Sequence, residues 1–120
     1  PTHVYEIEPN NDFAKAQIIE LPMMVKGHKS FGSDYSDFFK IIPEGQSMQV
    51  MLDHGTKDYN SNYRAYIFDF AGNQLEVIEA LKGVAAESKI GVVKGATYFI
   101  KVDVNNSPDN FGYELRVYSN

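Results

Sequence analysis

From Met23 onward the chain is a series of short alternations of apolar and polar residues, broken by turn formers. Val25 to Phe31 reads as a strand, weakened at Gly27, and Gly32-Ser33-Asp34 turns it. Asp37 to Ile42 comes next, with Phe39 and Ile41 on one face. Pro43-Glu44-Gly45-Gln46 places proline early and glycine late, as a tight turn requires. Met48, Val50 and Leu52 then alternate with Gln49, Met51 and Asp53, the period of a half-buried strand. Tyr63 to Phe70 and Gln74 to Ala80 flank Ala71-Gly72-Asn73 and read as a hairpin. Ala86 to Val93 is a weaker strand between Lys82-Gly83 and Lys94-Gly95. The clearest alternation sets Tyr98, Ile100, Val102 and Val104 against Phe99, Lys101 and Asp103. Tyr113, Leu115 and Val117 against Glu114, Arg116 and Tyr118 close the chain. About eight strands with a turn roughly every ten residues predict an all-β fold, an antiparallel sandwich or barrel.

The first residues read differently. Residues 1–11 are polar and extended, because Pro9 disfavours helix at Glu8. Asp12 is placed to cap a short helical turn over Phe13-Ala14-Lys15-Ala16, and Pro22 ends the segment beyond it. The expected organisation is a linker-like segment, 1–11, packed on a β-sandwich domain, 12–120. The chain begins at Pro1 without Met or a signal peptide, as an excised domain or processed product would.

At 120 residues the chain is one domain, long enough to bury a core without staples. It has no cysteine, hence no disulfide framework and no thiolate chemistry. A net charge of −5 with no basic stripe argues against nucleic acid or an anionic membrane as partner. No stretch approaches the roughly 18 apolar residues that span a bilayer as a helix. The expected oligomeric state is a monomer.

Candidate chemistry concentrates in two acidic clusters, Glu6-Ile7-Glu8-Pro9-Asn10-Asn11-Asp12 and Asp34-Tyr35-Ser36-Asp37. In an extended segment Glu6, Glu8 and Asn10 share one side. Asp34 and Asp37, three apart around a turn, can converge on one point. Calcium takes six to eight hard oxygen ligands of these kinds. The spacing alone leaves a second reading open, in which the carboxylates are solvated surface, Asp12 a cap and Asp34 a turn former.

The order of several short pieces adds to this. Glu8-Pro9-Asn10-Asn11-Asp12 with Ala16 is followed by Gly27 and by Asp34-Tyr35-Ser36-Asp37-Phe38-Phe39-Lys40-Ile41. Pro43-Glu44-Gly45, Asp69-Phe70-Ala71-Gly72-Asn73, Gly95-Ala96-Thr97-Tyr98-Phe99-Ile100-Lys101-Val102 and Gly112-Tyr113-Glu114-Leu115-Arg116-Val117 come after them in turn. From about Glu6 to Val117 the chain resembles the bacterial pre-peptidase C-terminal domain, the family that includes the collagen-binding domains of clostridial collagenases. The resemblance implies a β-sandwich of jelly-roll type, carried by a secreted protease or another exported enzyme as a parent domain in cis. It also implies a structural calcium ion between the N-terminal segment and the turn before an early strand. Matched residue by residue, the ligands would be Glu6, Glu8, Asn10, Asn11, Asp34 and Asp37; Asn11 stands where the family often has Asp, and Asp12 directly after it is the alternative ligand at that place.

Other constellations carry less. Asp103 to Glu114 spaces oxygens like an EF-hand loop, but Pro108 occupies the position that needs glycine and both flanks read as strands, so a hairpin loop is expected. His3, His28 and His54 are isolated, and no nucleophile–base spacing is present. Tyr59, Tyr63 and Tyr118 are candidate ligand-binding aromatics, with ordinary cross-strand packing as the alternative. The expected function is therefore a non-catalytic accessory domain of a secreted bacterial protein that binds calcium structurally. The alternative is a targeting module for collagen, another fibrous protein or a polysaccharide.

Overall fold

The computed structural model describes residues 2–5, 16–19, 23–29, 36–54, 62–81, 84–105 and 111–119. Alternating side chains give every strand two faces, and burying one of them requires a second sheet. The described residues form ten strands: β1 (Thr2–Tyr5), β2 (Gln17–Ile19), β3 (Met23–Lys29), β4 (Ser36–Ile41), β5 (Ser47–His54), β6 (Asn62–Asp69), β7 (Gln74–Leu81), β8 (Ala86–Gly91), β9 (Tyr98–Asn105) and β10 (Phe111–Ser119).

Two five-stranded sheets result, ordered β1-β3-β10-β5-β8 and β2-β4-β9-β6-β7. From β3 to β10 the chain passes from sheet to sheet at every connection except β6–β7, which is the expected hairpin. The eight strands β3 to β10 thus form a jelly roll, two four-stranded sheets laid face to face. These are the eight segments that alternate in the sequence. The two further strands pair in parallel at the outer edges, β1 on β3 and β2 on β4. The remaining neighbours are antiparallel.

The link from Asp103 to Glu114 departs from the expected hairpin loop, because β9 and β10 lie in different sheets. The helical turn expected after Asp12 falls on residues 12–16, of which only Ala16 is described, outside any helix.

The inner faces interdigitate in one cluster. Met48, Val50, Leu52, Leu115 and Val117 come from the first sheet, and Phe39, Ile41, Tyr63, Ala65, Ile67, Ile100 and Val102 from the second. Cross-strand register keeps like with like: Leu52 faces Leu115, Val50 faces Val117, and Ile67 faces Ile100. A register slip of one residue would turn each row to solvent.

The β6–β7 turn is built by local sequence, next to a register shift of the hairpin between Ile67 and Phe68. The backbone N–H of Gly72 donates to the Asp69 carbonyl at 3.0 Å, and Gly72 sits at φ 88°. The Asp69 carboxylate accepts from the Asn73 backbone N–H at 2.9 Å and from its side-chain amide at 3.1 Å. These bonds, the Asn73 backbone bond first, hold the Asp69 carboxyl below its ordinary pKa. A Cβ at Gly72 would meet nothing within 4 Å, so alanine there costs only its left-handed backbone.

Two outcomes are expected here. Gly72→Ala should lower unfolding free energy by about 1 kcal/mol in a urea titration. For Asp69, a depressed folded pKa means its contribution is complete above the ordinary carboxylate range and fades as pH falls through the folded value. The stability gap between wild type and Asp69→Ala should stay constant above about pH 5 and narrow below about pH 4.

Candidate functional site

Of the six expected calcium ligands, Asp37 is the one among the described residues; Glu6, Glu8, Asn10, Asn11 and Asp34 lie outside them. Asp37 is the second residue of β4 and shares the parity of Phe39 and Ile41, so its side chain enters the sandwich. Its exposure is 1%, and it is the one buried charged residue of the described core. The Tyr113 hydroxyl donates to Asp37 Oδ2 at 2.7 Å. Tyr113 belongs to β10 of the opposite sheet, so this bond joins the two layers. A carboxylate taken out of water costs several kcal/mol unless hydrogen-bonded, which makes the tyrosine a requirement of the site.

The residues fit a hard cation. All six side chains offer oxygen, which suits calcium better than the thiolate or imidazole sets that select zinc or copper. A hydroxyl holding one oxygen of a ligating carboxylate is the kind of partner that fixes a metal ligand's orientation. The same bond serves a purely structural Asp37 equally well. Among the described residues no group of three or more His, Asp or Glu side chains gathers into a metal-sized cluster.

The three candidate tyrosines separate. Tyr59 lies outside the described residues. Tyr63, a candidate ligand-binding aromatic, is fully buried in the core. The reason is parity: Tyr63, Ala65 and Ile67 are the inner row of β6. It cannot offer its ring to a ligand. Tyr118 is half-buried and lies in register with Gln49, on the opposite parity to Val117 and so on the outer face of the first sheet.

The outer face of the second sheet holds aromatics beyond these candidates. Phe38, Lys101, Tyr66 and Val77 stand in one cross-strand row, with Asp103, Arg64 and Glu79 in the next. The Lys101 ammonium lies 5.2 Å from the centre of the Tyr66 ring and 6.0 Å from that of Phe38, within cation–π range. It also pairs with Asp103 at 3.5 Å. Arg64 donates through Nε to Glu79 Oε2 at 2.5 Å, and its hydrogen bonds to Glu79 first and Tyr66 second raise the guanidinium pKa. Phe70 continues the β6 parity past the strand end, packs near-parallel to Phe99 and remains 70% exposed. One signal in the sequence marks this face. Arg64 fixes the outward parity of β6, and Tyr66, Phe68 and Phe70 succeed it at steps of two.

No protein-family profile and no curated protein matches the chain. Solved structures do. The pre-peptidase C-terminal domain of collagenase from Bacillus anthracis superposes with a TM-score of 0.65 at 18% identity, over 85% of this chain and 93% of that one. The chain has the fold of a pre-peptidase C-terminal domain. The Yersinia pseudotuberculosis-derived mitogen shares the architecture at TM-score 0.54 and 13% identity, over 81% of this chain and 84% of that one. CorA, a surface-associated copper-binding protein of Methylomicrobium album BG8, does so at TM-score 0.54 and 7% identity, over 99% and 98%. Proteins so differently described on one architecture show that the fold alone does not assign a function.

The inter-sheet bond has a direct test. Tyr113→Phe keeps the ring and removes the donor to a buried carboxylate, so it should cost about 1–3 kcal/mol by urea unfolding. A loss confined to the surface range, about 0.5 kcal/mol, would show that the bond is incidental.

Proposed function

We propose that this chain is a non-catalytic accessory domain of a secreted bacterial protein, attached in cis to an enzyme, with a protease as the parent. What supports this is the likeness in fold to a collagenase's pre-peptidase C-terminal domain, which extends over 93% of that domain. The chemistry of four described carboxylates points the same way. Asp37 is held by Tyr113, Asp69 by its own turn, Glu76 by Ser88 and Glu79 by Arg64. Groups tied into structural pairs are poorly placed to trade protons with a substrate.

The proposal includes a structural calcium ion held by Glu6, Glu8, Asn10, Asn11, Asp34 and Asp37. Bound, it would neutralise carboxylates that otherwise repel, and would tie the N-terminal segment to the start of β4. The affinity expected of an extracellular module is on the order of 10⁻⁴–10⁻³ M. A targeting role compatible with this reading is favoured by the outer face of the second sheet, where Phe70 is exposed and Tyr66 and Phe68 are half-buried.

Melting with calcium and with chelator tests the metal. Calcium at about ten times its dissociation constant should add about 1.4 kcal/mol and raise Tm by about 4–6 °C. Glu8→Gln and Asp37→Asn should each remove most of that shift. Glu8→Gln is informative even if Asp37→Asn weakens the fold. Equal melting temperatures in calcium and chelator would sink the calcium assignment.

A further inference from the structure

We propose that the outer face of β6 and β7 binds a neutral polysaccharide, laid along the strip formed by Tyr66, Phe68 and Phe70. The inference rests on the reading of the chain as an accessory module and names what that module would hold. Side chains two apart on a strand stand about 7 Å apart, the scale of one sugar ring. The Tyr66 and Phe68 rings are 6.4 Å apart with planes 22° from parallel, so both offer one orientation to successive units. Phe70 extends the row with 70% of its surface open, and Val77, 41% exposed, widens it from β7. A pyranose presents C–H groups on its faces, which pack on aromatic rings, and hydroxyls around its rim, which need donors and acceptors. The Arg64–Glu79 pair supplies both at the end of the strip, already oriented by their mutual bond.

Charge decides the class of occupant. Both described ion pairs of this face, Arg64 with Glu79 and Lys101 with Asp103, join opposite signs, and the whole chain carries −5. An anionic glycan or a nucleic acid would be repelled overall and would have to break the pairs. A protein partner would more naturally anchor an aromatic in a pocket ringed by a polar rim. Here the rings form an open row with the polar pair in line, which suits an extended chain of sugars.

Depletion from solution by insoluble cellulose, chitin and mannan tests this on the full chain, with insoluble collagen in parallel. Wild type should be retained by at least one polysaccharide, and retention should survive high salt because the contact is neutral. Phe70→Ala and Tyr66→Ala should each weaken retention about fivefold to tenfold while urea midpoints show both variants folded. Val93→Ala, at an exposed position on the turn before β9, should bind as wild type does. The proposal is overturned by retention on none of the polysaccharides, by undiminished retention of Phe70→Ala, or by retention on collagen alone. The calcium-dependent melting shift is read separately, so failure on polysaccharides with that shift intact would remove this inference and leave the accessory-domain reading standing.

Discussion

Everything in this molecule depends on two sheets closing over one another, and the hydrogen bond from Tyr113 to Asp37 is the polar contact that the closure must accommodate. The surrounding inner-face cluster is apolar or aromatic. Apolar packing holds the layers together but does not dictate their register, since a hydrophobic row tolerates sliding. A buried carboxylate bonded to a tyrosine hydroxyl of the other sheet at 2.7 Å does not. Sliding one sheet on the other would separate a charge in the core from that donor, at a cost well above that of a mispacked methyl. The bond therefore adds specificity to a closure whose energy comes from the apolar rows.

A second polar contact spans the layers at the opposite side. Glu76 of β7 and Ser88 of β8 bond at 3.2 Å, joining the edge strand of one sheet to the edge strand of the other. Exposed edges are templates for pairing with other chains, and an inward-pointing charge on an edge strand is one way proteins discourage that. Glu76 is such a charge. It would lose its hydroxyl partner if a foreign strand displaced β8, so closure of the sandwich and protection of its edge are one arrangement. At the other side the parallel strands β1 and β2 extend the two sheets beyond β3 and β4.

The jelly roll is legible in the sequence because several of its eight strands carry a clear period-two pattern, and turn residues separate all of them. Met48-Val50-Leu52 and Tyr113-Leu115-Val117 announce an inner row unaided. β1 and β2 are not legible as strands. Thr2–Tyr5 and Gln17–Ile19 are too short to show a period, and their strand character comes from a neighbour that offers backbone groups to pair with. Such pairing is a tertiary effect that local propensity does not carry. The same limit explains the hairpin expected at Asp103 to Glu114. Consecutive strands usually pair, and only the global winding puts β9 and β10 in different sheets.

The site residues divide for the same physical reason. Asp37 stands out in the sequence as a member of an acidic cluster, and the structure gives it a role that composition does not show, because burial and the opposite sheet's tyrosine define it. Tyr63 is misleading because β6 carries aromatics on both faces, so hydrophobicity leaves its phase undetermined. The phase is set instead by Arg64, which cannot be buried without a partner and so turns Tyr66, Phe68 and Phe70 outward with it. One cation thus decides which aromatics of β6 build the core and which stand on the outer face. Whether a ring on this strand packs between the sheets or faces outward follows from its distance in sequence, odd or even, from that arginine.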